Sequence, residues 1–142
     1  MPKAISSPAQ ITYPLKVAFH DVDSMNIVWH GRYVKYFELA RCELLESFNY
    51  DYVAMRDSGY AWPVVDMRIK YVKPLRFNQK VEVRCWVKEW EYRLKIEYLV
   101  LDAESGEKLT KGYTIQVAVD MQTQEMCLES PSVLLERLGI KS

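Results

Sequence analysis

At 142 residues, with 49% of them hydrophobic and 27% charged, the chain has the size and make-up of one globular domain that buries a core without disulfides or a structural metal. Its 19 Lys and Arg balance 19 Asp and Glu. No overall field therefore draws it to nucleic acid or to a membrane surface, and anion binding has to come from a local cluster.

Taken in chain order, Ile11 to Phe19 alternates loosely and predicts a first strand, in which Pro14 suits an edge position. Asp21 to Asn26 is dense in turn formers. A helix is predicted from about Gly31 to Phe48. At about 100° per residue, Tyr33, Phe37, Ala40, Leu44 and Phe48 share one arc, widened by Val34 and Leu45. Arg32, Lys35, Glu43 and Glu46 fall opposite. Asn49 is the stop, and a short helix over about Tyr50 to Asp57 precedes Gly59.

From Trp62 the period changes to two. Trp62 to Tyr71 predicts a strand that ends at Lys73-Pro74. Val81, Val83, Cys85 and Val87 alternate with Lys80, Glu82, Arg84 and Trp86, and Tyr92, Leu94, Ile96, Tyr98 and Val100 alternate next. Asp102 to Glu107, with Gly106, reads as a hairpin turn before a last long strand through Leu109, Lys111, Tyr113, Ile115, Val117 and Val119. Ser132 to Leu138 reads as a short amphipathic helix. Four strands in succession without crossover helices imply an antiparallel sheet, and its apolar face has one substantial helix to wrap around. The expectation is an α+β fold of about five strands with the helix as filling, in a single domain over 1–142.

Cys42, Cys85 and Cys127 form no CxxC pair, and two of them fall in apolar-patterned segments where a reduced, buried thiol is the plain reading. Met1 to Gln10 has no apolar core of signal-peptide length, and no apolar run is long enough to span a bilayer. A cytoplasmic protein without an integral membrane segment is expected.

The polar residues that can carry chemistry crowd one segment: His20, Asp21, Asp23, Ser24, Asn26 and His30, including both histidines of the chain. The long helix begins directly after them, and its first amides have no intrahelical partner. Those amides and the helix dipole favour negative charge nearby. A carboxylate beside such amides can attack a carbonyl or activate water, while the amides stabilise the oxyanion that develops.

The run from Phe19-His20-Asp21-Val22-Asp23 through Asn26-Ile27-Val28-Trp29-His30-Gly31-Arg32-Tyr33 to Tyr36-Phe37-Glu38-Leu39-Ala40-Arg41 resembles the signature of the hot-dog-fold acyl-CoA thioesterases. It is most similar to the 4-hydroxybenzoyl-CoA thioesterase family and its Tol-Pal-associated branch. Tyr71-Val72-Lys73-Pro74-Leu75-Arg76-Phe77 resembles that family's second-strand ending. The resemblance implies a hot-dog fold, an acyl-CoA substrate, no cofactor, Asp23 as the catalytic carboxylate, and His30 as the helix-entry residue whose N–H polarises the thioester carbonyl. It also implies a pocket between subunits. The family usually has Gly where this chain has Asn26. Asn is the next most tolerant residue of a left-handed backbone, so the turn should survive with a polar tip.

Each of these residues also has a plainer reading. Asp21 and Asp23 are common turn residues, and Asp21 is expected to accept hydrogen bonds that fix the turn. His30 can be a simple helix-start residue. No ligand spacing among His20, Asp21, Asp23 and His30 supports a metal. Glu38 and Arg41, at i and i+3, are expected to pair structurally at a helix–sheet or subunit boundary. Lys70, Lys73 and Arg76, with Lys88 and Arg93, are candidates for the phosphates of coenzyme A, and each is equally a solvated charge on a sheet edge. Trp29, Trp62, Met25, Tyr60 and Tyr36 can line an acyl pocket, and core packing explains each as well. The expected substrate-binding set is Asn26, Trp29, Lys73 and Arg76. An exposed sheet edge predicts a homodimer or homotetramer. Two rival functions stand beside hydrolysis: a hot-dog hydratase or dehydratase, and a non-catalytic acyl-CoA-binding scaffold.

Overall fold

The computed structural model, described over residues 7–140, pairs strand with strand along the alternation the sequence carries. Its elements are β1 (Gln10–Lys16), α1 (Tyr33–Ser47), α2 (Tyr52–Asp57), β2 (Tyr60–Ala61), β3 (Val64–Tyr71), β4 (Lys80–Glu89), β5 (Leu94–Asp102), β6 (Lys108–Gln116), β7 (Val119–Asp120) and α3 (Ser132–Arg137). Five strands form one antiparallel sheet in the order β1-β4-β5-β6-β3, and β2 pairs with β7 in a two-stranded ribbon. This is the hot-dog layout, with α1 as its filling. β1 and β3 are the edges. Among the described residues no helix is long and apolar enough to cross a membrane.

The predicted boundaries shift where backbone hydrogen bonds find other partners. The first strand stops at Lys16, and Phe19–Asp21 winds into a 3₁₀ turn. The last strand breaks after Gln116, because Val117 turns its N–H to the Pro63 carbonyl (3.4 Å) and Val119 joins Ala61. A 3₁₀ turn, His30–Arg32, precedes α1 proper.

Alternate residues of β4 (Val81, Val83, Cys85, Val87) and β5 (Leu94, Ile96, Tyr98, Val100) point inward onto the buried face of α1, which is Tyr33, Tyr36, Phe37, Ala40, Leu44 and Leu45. Phe37 stacks flat on Tyr98, with centroids 4.2 Å apart and planes 3° from parallel. Gly112 lies opposite Tyr98 in register. A Cβ at that position would strike both the Phe37 ring and the Arg68 carbonyl, so glycine lets the helix come this close to the sheet. Truncating an aromatic at such a contact typically costs about 3–5 kcal/mol.

Arg41 is buried on this face and donates from Nε and Nη2 to the Tyr52 hydroxyl (3.2 and 3.1 Å). The pair expected with Glu38 does not form. The helical turn carries Arg41 toward the sheet and leaves Glu38 exposed. Trp62 is core as well, and its indole N–H donates to the Tyr50 hydroxyl (3.1 Å). The three cysteines are free. Burial pushes the Cys85 thiol up to about 12, so it stays protonated and unreactive.

Candidate active site

Residues 21–29 fold into a small hairpin. The Trp29 N–H donates to the Asp21 carbonyl (3.0 Å), Val22 bridges Val28, and the Asp23 N–H donates to the Ile27 carbonyl (2.9 Å). At the tip, the Asn26 N–H closes onto the Asp23 carbonyl (3.0 Å) with Asn26 at φ 61°, the left-handed conformation expected of this position. The hairpin docks on the β3–β4 connection: the Val28 N–H donates to the Leu75 carbonyl (2.7 Å), Ile27 bridges Arg76, and Val28 and Leu75 are both buried. From Trp29 the chain runs straight into the 3₁₀ turn and α1. The Trp29 indole folds back over Gly31, where any Cβ would meet the ring.

Asp21 fastens this hairpin to the helix. It is 2% exposed. The Tyr36 hydroxyl donates to its Oδ2 (2.9 Å), and Lys35 Nζ donates to its Oδ1 (3.4 Å). His20 Nε2 and Arg32 Nε stand at 3.5 and 3.9 Å from the same oxygen. Burial alone would raise this carboxyl's pKa, but the Tyr36 hydrogen bond and the Lys35 ammonium outweigh it and hold it below the usual carboxylate value. Burial and the adjoining carboxylate push the Tyr36 hydroxyl the other way, well above an ordinary phenol.

Asp23 is exposed. Its Oδ1 accepts the Met25 N–H (2.9 Å), which orients the side chain, and its Oδ2 has no hydrogen bond among the described residues. It opens into a cleft of about 250 Å³ that it shares with Ile27, Val28, Trp29, His30, Tyr33, Tyr71, Val72, Lys73 and Pro74. The backbone N–H groups of His30 and Gly31 have no acceptor among the described residues. The other side of the His30–Gly31 peptide is held firmly. The His30 carbonyl accepts from the Tyr33 N–H and from the Tyr71 hydroxyl (3.1 Å). Tyr71 packs edge-on against Tyr33, with centroids 4.9 Å apart, and the His30 ring stands 5.1 Å from Trp29. A carboxylate with a free oxygen, open amides at a helix entrance and aromatic walls make a site suited to acyl transfer.

The cleft brings together Asp23, His30, Trp29 and Lys73. The Lys73 ammonium is ion-paired with Glu107 (2.6 Å). Asn26 sits at the exposed hairpin tip, and Arg76 is exposed beside Ile27, its N–H given to the Gln79 side chain (3.0 Å). Lys70 lines a groove on the other face of the sheet, and Arg93 holds Glu89 through two hydrogen bonds (3.2 and 3.0 Å). Of the acyl-pocket candidates Trp29 lines the cleft, Tyr36 and Trp62 are core, Tyr60 packs half-buried against that core, and Met25 is 74% exposed. The sequence alone does not point to Tyr71 and Tyr33 as site residues. The run ending in Lys73-Pro74 marked where β3 stops, but only the register of β3 on β6, Tyr71 opposite Thr110, aims Tyr71 at the helix entrance.

A family model described as thioesterase-like superfamily matches residues 17–138. A candidate acyl-CoA thioesterase of Bacillus subtilis is 27% identical, over 77% of this chain and 79% of its own. A candidate esterase of Synechocystis is 29% identical, over 87% of this chain and 75% of its own. The solved structure of a DHNA-CoA thioesterase from Staphylococcus aureus superposes with a TM-score of 0.75 at 26% identity, covering 84% of this chain and 80% of that one.

Proposed function

The chain belongs to the thioesterase-like superfamily, and from that premise we propose that it hydrolyses an acyl-CoA thioester to the free acid and coenzyme A, with Asp23 as the catalytic carboxylate. The observation that carries this reading is an Asp23 Oδ2 and a His30 N–H that share one cleft and have no hydrogen-bond partner among the described residues. In one course, the carboxylate oxygen attacks the thioester carbon, the C–S bond breaks, CoA leaves as thiolate, and water opens the resulting mixed anhydride. In the other, Asp23 takes a proton from water as the water oxygen attacks, and passes it to the departing sulfur. Both courses put negative charge on the carbonyl oxygen, where the His30 N–H would donate. The Tyr71 hydroxyl would fix the next peptide, His30–Gly31, from its carbonyl side and so orient the Gly31 N–H beside that donor.

The cleft is smaller than most ligand pockets and is walled by Trp29, Tyr33 and Tyr71. A short or aromatic acyl group fits those walls best. A second copy would complete the pocket. β3 is an edge strand: Val64 and Val65 at its start are 38% and 57% exposed, and Tyr71 and Val72 at its cleft end are 49% and 50% exposed. Lys73 and Arg76, near the cleft, would meet the phosphates of CoA, with Lys73 exchanging its Glu107 partner. We read 1–142 as one such domain, working in the reducing cytoplasm where its three free cysteines persist.

The test is thiol release from a panel of aromatic, short-chain and long-chain acyl-CoAs. Turnover concentrated on aromatic or short acyl groups is the expected result. Tight CoA-thioester binding with no release would instead make the protein a binding module. Single-turnover hydrolysis in heavy-oxygen water separates the two courses, since only the nucleophilic one leaves label in the Asp23 carboxylate.

A further inference from the structure

A cavity of about 500 Å³ lies away from the cleft, on the outer face of the sheet. Strand register arranges its walls in two rows. One row runs Trp86, Glu97, Tyr113, Arg68 across β4, β5, β6 and β3. The next runs Leu99, Lys111, Lys70, with Lys108 beyond it at the start of β6. Four cations thus face one carboxylate, and none of the four has an ion-pair partner among the described residues. Lys95, from the adjoining row, covers one face of the Tyr113 ring at 4.5 Å.

Lys70 and Lys111 are direct cross-strand partners. Like charges at such a pair destabilise a sheet, and a fold commonly carries such a violation where a ligand relieves it. The sheet has one other like-charged pair, Lys16 opposite Lys80, which borders a hollow that holds Glu82 and no aromatic ring. Only the Lys70–Lys111 pair opens onto aromatic walls.

We propose that this groove is a second ligand site that binds a purine nucleoside di- or triphosphate, distinct from the thioester cleft. The base stacks on Trp86 and Tyr113, Glu97 accepts from the base's ring or exocyclic N–H groups, and Arg68, Lys70, Lys108 and Lys111 take the phosphates. The groove volume lies within the range of small-molecule sites, and three or four phosphate charges match the surplus of cations. β3 and β6 separate the groove from the cleft: along β3, Lys70 points to one face and Tyr71 to the other.

The experiment is equilibrium binding of ADP and of pyrophosphate to the full chain and to the variants Lys111→Glu, Arg68→Gln and Trp86→Leu, with acyl-CoA turnover and molar mass measured alongside. ADP should bind more tightly than pyrophosphate. Lys111→Glu should weaken ADP at least about tenfold and should raise the melting temperature, because it replaces the like-charged pair with an opposite one. Trp86→Leu should weaken ADP and leave pyrophosphate unchanged. No ADP binding, or binding that Lys111→Glu leaves intact, overturns the proposal. Pyrophosphate binding as tight as ADP reduces the groove to an anion site and overturns the nucleotide assignment. ADP competing with acyl-CoA, with KM raised by Lys111→Glu, makes the groove part of the substrate site. A smaller assembly on light scattering of Lys111→Glu makes it a subunit contact, and each of these last two results also overturns the proposal.

Discussion

The two sides of the hairpin neck hold the same side chain in opposite surroundings. At one, Asp21 is buried, and its oxygens are engaged by Tyr36 and Lys35, with His20 and Arg32 close by. Two residues on, Asp23 faces the cleft with one oxygen turned by the Met25 amide and the other without a hydrogen bond among the described residues. A carboxylate that is fully satisfied contributes to the fold and has nothing left to offer a substrate. A carboxylate that is half satisfied is oriented and still reactive. The first anchors the loop, and the second is held by that loop at the helix entrance.

This contrast can be broken one residue at a time. Asp21→Ala should have the largest effect on stability, about 2–3 kcal/mol by urea denaturation, because it strands the buried Tyr36 hydroxyl and a neighbouring ammonium. Asp23→Ala should leave the urea midpoint unmoved. Tyr36→Phe should cost less, about 1–2 kcal/mol, since Asp21 keeps Lys35.

The acid limb sharpens the same point. The Asp21 pKa is lowered in the fold, so the unfolded chain takes up that proton first as pH falls. Its contribution to stability is present above the ordinary aspartate pKa, about 3.9, and is lost below it. Asp21→Asn should therefore flatten the decline of stability below about pH 4, measured by urea melts across that range. Asn26→Gly should have the smallest effect, a few tenths of a kcal/mol, because glycine takes the same left-handed φ. Its effect should appear in the acyl-CoA preference measured on the panel.

Most of the fold is legible in the sequence, for physical reasons that differ by region. The alternation in β4 and β5 and the aromatic arc of α1 record burial directly, so the sheet, the helix and their contact followed from period alone. Asn26 was identifiable as a left-handed position because few residues tolerate one. The partner of Arg41 is not legible, because i,i+3 spacing on a helix says nothing about a phenol arriving from the next helix, as Tyr52 does. Tyr71 and the groove of Arg68, Lys70, Lys108 and Lys111 depend on strand order and register, with β3 placed beside β6 rather than beside its sequence neighbour β4. Long-range pairing of that kind leaves no local trace in the sequence.

The most direct test of the account compares acyl-CoA hydrolysis by Asp23→Asn and Asp21→Asn, with the thermal melt of each variant recorded on the same preparation. Asp23→Asn should lose about two to four orders of magnitude in kcat with an unchanged melting temperature and intact CoA binding. Asp21→Asn should melt earlier and keep most of its rate while folded. An Asp23→Asn enzyme that turns over at the wild-type rate would contradict the assignment outright.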